Sequence, residues 1–470
     1  MNSLSLLLER DLPPGQLAFY PLGGAPVHFG ELLELARRAQ NGLRELGFTA
    51  GHSLLLADTI SAEFYAVVMA ALGLGGRIVL VEPFLPVTEI GAVVDRSAPW
   101  VFVASFLGRL WGSRVRAIRK IPHWISARSL CRGGALSEMV CEAVHRDDPA
   151  IITFTSGTSG GRSKGVVRTH SVLSAQNRVI RTSGGLEAYS RPDLAIFANL
   201  TLANLGMGRG TVFVPPGWRS RHLRMIRDLP PDWQPETLSC GPAFLSRFLN
   251  DSSIEKPNAI APHLKSIHVG GALSECSLFE RAFQQYPETR FLQVYGSSEA
   301  EPVSFSDARV AVQRSKDRGY LQALFLGTAI PEIRGRVEED SYWVSGPHVC
   351  GEYIGNDSEN LKAKKRDRDG TLWHAMGDRL KVDSEGLWFE GRSFQDPADF
   401  HLEQKVYSYL GQSSCFVFRD SEGHRVLSGE GVIDRKSDLL TRFQEIQRIQ
   451  EKKIIRDRRH RSRIDRGASQ

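Results

Sequence analysis

Between residues 28 and 81 the hydrophobic period of this chain switches repeatedly. Apolar residues recur at helical spacing from His28 to Leu46 (Leu32, Leu33, Leu35, Ala36, Ala39, Leu43 and Leu46). The run Ser53–Ala57 then reads as a strand, Ser61–Leu74 as a helix and Arg77–Val81 as a buried strand. Strands alternating with helices bring successive strands into a largely parallel sheet with helices on its faces, an α/β fold. The alternation returns downstream. A helix over 169–182 is followed by apolar segments at 194–199 and 211–215. A strand at 264–271 then ends in Gly270-Gly271, before a helix over 274–286 and a strand over 290–295.

At 470 residues the chain has room for two or three domains, on a prior of roughly 150 residues each. The formal charge of +6 is concentrated toward the C-terminus, so it argues poorly for nucleic-acid binding by the whole protein. The segment Gln450 to Arg466 is dense in Lys and Arg without interleaved aromatic residues. It reads as a solvated helix end, and nucleic acid is not an expected partner. The cysteines at 131, 141, 240, 276, 350 and 415 form no Cys-x-x-Cys pair, which argues against structural zinc and for reduced thiols in the cytoplasm. The N-terminus lacks the basic region of a signal peptide. The most apolar window, 64–83, is broken by Gly73, Gly75, Gly76 and Arg77. A core helix and strand are expected there, not a membrane span.

The strand-like run Ala150–Phe154 opens into Thr155-Ser156-Gly157-Thr158-Ser159-Gly160-Gly161-Arg162-Ser163-Lys164-Gly165. Glycines let backbone N–H groups converge on an anion, hydroxyls add donors and the lysine adds charge, which is chemistry for nucleotide phosphates. It is not a Walker loop, since Lys164 precedes glycine rather than Ser or Thr. Further on, Tyr295-Gly296-Ser297-Ser298-Glu299 puts a carboxylate at the mouth of a strand, where open α/β sheets bind ligands. Trp373-His374-Ala375-Met376-Gly377-Asp378 and Gly391-Arg392 follow.

These four segments, in this order, resemble the signatures of the adenylate-forming superfamily of acyl-CoA synthetases, luciferases and adenylation domains. The resemblance implies a large N-terminal domain (1–391) of mixed, largely parallel sheets with flanking helices. A small α+β C-terminal lid (392–470) would follow. It implies binding of ATP and Mg²⁺, with Thr155, Ser156, Gly157, Thr158, Ser159, Gly160 and Lys164 around the phosphates. Tyr295 would lie against the adenine, Gly296 would belong to the same nucleotide-binding segment, Ser298 would contact the α-phosphate and Glu299 the metal. Asp378 and Arg392 would contact the ribose, and Gly271, with Gly270 and Ala272, would line the acyl site. His170 resembles a position near that site, or serves as a core histidine. Asn204–Gly208 and the Arg-rich tail resemble the branch of β-lactone synthetases in bacterial olefin biosynthesis, which points to a fatty or 3-hydroxy fatty acid.

The implied reaction joins a carboxylate to the α-phosphate of ATP and expels pyrophosphate. Lys164, Glu299 with its metal and Arg392 would offset the repulsion between the two anions. The chain departs from the family pattern at three places. One extra residue precedes Lys164 and Ser163 stands for the usual proline, so a longer, looser loop is expected. Arg463 stands where a catalytic lysine is usual. The C-terminal unit is short, which suggests an acyl acceptor other than CoA: an intramolecular hydroxyl or a partner protein. A CoA ligase and a non-catalytic nucleotide- or acyl-binding homologue are the alternative readings.

Overall fold

The structure is a computed structural model that describes residues 2–8, 12–81, 85–136, 138–155, 163–215, 217–250, 260–411, 413 and 415–453. The chain divides into two compact units. The first comprises 1–238, 298–301 and 345–374, and the second comprises 239–297, 302–344 and 375–470.

In the first unit a six-stranded sheet runs in the order His123–Ile125, Pro99–Ala104, Ser53–Ala57, Arg77–Val81, Pro149–Thr155, Lys164–Thr169. Its first five strands are parallel and the last pair is antiparallel. The run Ser53–Ala57 is buried over its first four residues because it is central and covered on both faces, and such strands read as continuous apolar runs. Two of the expected helices form the main covering layer. Helix Ala62–Gly73 is buried along almost its whole length. Helix Phe29–Glu45 buries one stripe, Phe29, Leu32, Ala36, Ala39 and Leu43, together with Gln40. Ser61 caps the first by accepting the Phe64 N–H, which is why that helix starts where it does. Val27–His28, Leu17–Pro21, Thr211–Phe213 and Asp193–Ala195 are successive neighbours in a second sheet.

In the second unit Ser266–Gly270 pairs in parallel with Arg290–Ser297. The strands Ala300–Asp307, Phe325–Ala329, Gly386–Arg392 and Asp378–Asp383 continue that sheet with antiparallel pairings. The C-terminal end has its own core. Helix Pro397–Leu410 packs Leu402 and Val406 on Val417 and Leu427 of a three-stranded sheet, Cys415–Arg419, Arg425–Gly429 and Arg448–Glu451. Among the described residues no helix is long and apolar enough to cross a membrane.

Candidate active site

The phosphate-loop segment leaves and re-enters the first unit's sheet at one pair, since Thr155 and Lys164 are register partners of the antiparallel edge. Ser156, Gly157, Thr158, Ser159 and Gly160 lie outside the described residues. The exit from the loop is fixed by packing. A side chain at Gly165 would strike the ring of Phe154 at 2.7 Å and Ile354 at 2.6 Å, so the residue after Lys164 has to be glycine. Ser163, expected to loosen the loop, is buried instead. Its N–H and hydroxyl both donate to Glu89 Oε2 at 3.0 Å, and its carbonyl accepts from Arg96 at 3.1 Å. At this residue a helix-borne carboxylate collects the two donors a proline would lack, while the loop expected to be looser, 156–162, lies outside the described residues.

Residues 352–354 run along the edge of strand Lys164–Thr169. Glu352 O accepts from Val167 N, and Ile354 N donates to Gly165 O. That pairing sets Tyr353 beside Lys164. The Lys164 ammonium lies 5.4 Å from the centre of the Tyr353 ring, and the Tyr353 hydroxyl donates to Glu299 Oε1 at 2.7 Å. Asn360 holds Tyr353 in place, accepting its N–H at 2.7 Å and donating to its carbonyl at 2.9 Å. The segment 298–301 is held in the same unit by its carbonyls. Ser298 O accepts from Arg168 at 2.6 Å, Glu299 O from Cys350 N at 2.7 Å, and Glu301 O from Gln176 at 2.9 Å.

Residues 355–385 are polar and include Lys-Ala-Lys-Lys-Arg-Asp-Arg-Asp-Gly, a composition that reads as an exposed hairpin. The structure keeps the hairpin but turns one face inward. Lys364–Arg366 pairs with Leu372–Ala375 in a register that sets Lys364 opposite His374. Alternation along a strand sends neighbouring side chains to opposite faces, so a run of cations can place one of them inside. Lys364 donates to Cys350 O at 2.5 Å and lies 5.1 Å from the centre of the Tyr353 ring. Burial pushes its ammonium down to about 8 against the pull of Glu299, with Lys164 adding repulsion. His374 is pushed down to about 3 by burial, then by Lys364, so it is neutral at pH 7. For Glu299 burial acts upward, but His374 when charged, Lys364 and the Tyr353 hydroxyl outweigh it and hold the carboxyl at about 2. At pH 7 the Lys364 charge and the Tyr353 bond do that work. Lys164 itself is paired with Glu359 Oε2 at 2.6 Å.

The second unit builds a separate constellation. Strand pairing sets Asp378 opposite Arg392, and Arg392 donates to Asp378 Oδ1 at 2.6 Å while the Tyr295 hydroxyl donates to Oδ2 at 2.9 Å. The carboxylate is buried. Burial, then Asp378, raises the Tyr295 phenol well above its ordinary value, so it remains a donor. Gly296 continues the strand Arg290–Ser297. Gly271 follows the strand Ser266–Gly270 at φ 85°.

His170 is a core residue. Its Nδ1 accepts the Ser3 N–H at 3.0 Å, burial pushes it down to about 4, and it anchors the N-terminal segment. Arg463 lies outside the described residues. Motif reading missed Glu89, Arg168, Tyr353, Glu359 and Lys364. His374 was visible only as a neighbour of Asp378, and its part in the Glu299 surroundings follows from the hairpin register.

The family its sequence matches and its CoA-ligase relatives make this chain an adenylate-forming ligase. The sequence matches the AMP-binding enzyme family over residues 12–352, and the chain belongs to that family. It is similar to peroxisomal OPC-8:0-CoA ligase 1 of Arabidopsis thaliana, 24% identical over 400 residues that cover 80% of this chain and 72% of that one. The fold is similar to ATP-bound MatB from Rhodopseudomonas palustris (TM-score 0.79, 16% identity, 99% of this chain and 97% of that one). It is also similar to the amide bond synthetase McbA from Marinactinospora thermotolerans (TM-score 0.79, 15% identity, 99% and 98%).

Proposed function

We propose that this ligase activates a fatty or 3-hydroxy fatty acid with Mg·ATP, forming the acyl-adenylate and releasing pyrophosphate. The observation that carries the reading is the sharing of Tyr353. One face of its ring meets the Lys164 ammonium at 5.4 Å and its hydroxyl holds the Glu299 carboxylate at 2.7 Å. A cation for the phosphates and an anion for their metal are thereby set on one side chain. Glu299 suits Mg²⁺ because it offers hard oxygen kept ionised at pH 7, the rest of the shell coming from phosphate and water. When bound, the metal would neutralise phosphate charge. The chain's own residues do the remainder. Lys164 exchanges Glu359 for phosphate oxygens, Asp378 accepts from the ribose hydroxyls, and Arg392 and Tyr295 keep that carboxylate aimed. Arg463 supplies a further cation at the reacting carboxylate, in place of lysine.

A CoA ligase is the second reading, favoured by the similarity to OPC-8:0-CoA ligase 1. Pyrophosphate and AMP release should be measured with a panel of acids, 3-hydroxy fatty acids included, each with and without CoA. Acid-dependent pyrophosphate release without CoA, with AMP release also independent of it, supports the proposal. AMP release only with CoA selects the ligase. No release with any acid, while ATP still binds, overturns both.

A further inference from the structure

The helix Phe106–Gly112 is built inside out. Its inward positions are glycines: a side chain at Gly108 would meet Ala104 at 3.0 Å, and one at Gly112 would meet the Phe102 ring at 2.8 Å. Its large apolar side chains face solvent, with Phe106 71% exposed, Leu107 73%, Leu110 46% and Trp111 36%. A helix on the surface of a soluble domain normally does the reverse. The other large exposed apolar side chains among the described residues are scattered along the chain, whereas these four share two turns. An apolar cluster of this kind marks a contact surface.

The charge beside it identifies the partner. Residues 105–122 carry Arg109, Arg114, Arg116, Arg119 and Lys120 and no acid. The basic turn continues directly from the helix, with Arg114 N donating to Trp111 O at 3.0 Å. Arg114, Arg116 and Lys120 line one shallow depression with another exposed apolar residue, Val87. One acid, Asp95, lines the same depression, 4.0 Å from Lys120 in an exposed pair, so the cations outnumber it three to one there. Five cations in the stretch 109–120, directly continuous with the Phe106–Trp111 apolar residues, would repel a second copy of the same segment. They match a surface that is negative outside and apolar within, which is an anionic bilayer.

We propose that the Phe106–Gly112 helix and the basic turn after it dock this protein on anionic phospholipid membranes, with Phe106, Leu107, Leu110 and Trp111 entering the headgroup boundary. This is surface binding and needs no spanning segment. It stands independently of the acid the enzyme uses.

The test is co-sedimentation of the full chain with phosphatidylcholine vesicles, with and without phosphatidylserine. Two triple variants are compared: Phe106→Ser/Leu107→Ser/Trp111→Ser and Arg114→Gln/Arg116→Gln/Arg119→Gln. Wild type should bind the phosphatidylserine vesicles and release from them as salt rises. The arginine variant should partition on the order of a hundredfold less, at about 1 kcal/mol per cation. The serine variant should lose binding, and the double variant Phe106→Ser/Leu107→Ser, whose changed side chains are more than two thirds exposed, should weaken it while melting with wild type. Absence of vesicle binding overturns the proposal. So does equal binding to phosphatidylcholine alone, or wild-type binding by the serine variant. Binding to polyglutamate but not to vesicles, or concentration-dependent dimerisation that the serine variant abolishes, assigns the face to a protein contact and overturns it too.

Discussion

Glu299, half-buried, and Asp378, buried, are two acids held in opposite ways. Asp378 has direct contact on both oxygens, from Arg392 and Tyr295. Glu299 takes its hydroxyl bond from Tyr353, and its charge is balanced by Lys364, which sits on a carbonyl and an aromatic face. Contact makes Asp378 a rigid, oriented acceptor. A charge balanced by the surrounding field leaves Glu299 ionised while its partners can still adjust, which suits the metal-binding role proposed for it. The same contrast separates Lys164, already paired, from Lys364, whose proton is loosely held.

Glu299→Gln should give the largest effect. Removing the anion should lower acid-dependent pyrophosphate release on the order of 10²–10³-fold, measured under saturating ATP, with a lowered melting temperature at pH 7 because the carboxylate held at about 2 contributes stability there. Asp378→Ala strands Arg392 and Tyr295, at about 2–3 kcal/mol of stability, visible in urea unfolding, and it should weaken ATP binding in the same protein. If both variants lost only activity, the contrast between field and contact would be wrong.

Ser163→Pro removes both donors to Glu89 and should cost about 2 kcal/mol, read as a lowered melting temperature. A proline variant as stable as wild type would mean that those bonds contribute nothing.

The Lys364 value of about 8 yields a pH prediction with two signs. As pH rises through 8 the cluster loses a positive charge, so pyrophosphate release should fall, and Lys364→Arg should extend the plateau. Stability should move oppositely. Above pH 8, and below the ordinary lysine value, the unfolded chain binds the proton that the folded chain has given up, so this group's contribution rises with pH. A common alkaline midpoint for activity and unfolding would break the prediction. The smallest effect is expected from Glu359→Gln. Freeing Lys164 from a partly exposed pair should tighten ATP binding by roughly two- to fivefold, measured by titration calorimetry.

The local elements were legible because their signals are local. Ser53–Ala57 and Arg77–Val81 match their apolar runs residue for residue, and helix starts follow the caps Ser61 and Thr169. The motifs likewise marked Lys164, Glu299, Asp378 and Arg392 by spacing and wording. Their partners were not legible. Tyr353 lies 189 positions from Lys164 along the chain, and nothing in either neighbourhood announces that residues 352–354 pair with the strand after the loop.

The sequence alone therefore determined the alternating α/β architecture, the family signatures and the residue types available for phosphate, ribose and metal. Tertiary structure decided which of them meet, and in what charge state. It turned Lys364 out of a polar run and into the Glu299 surroundings, and it made Ser163 a pinned residue instead of a loose one. It set glycines inward and aromatic residues outward at 106–112. The physical reason is that burial and electrostatics act through space. A side chain's face and its protonation depend on what other strands and helices bring beside it.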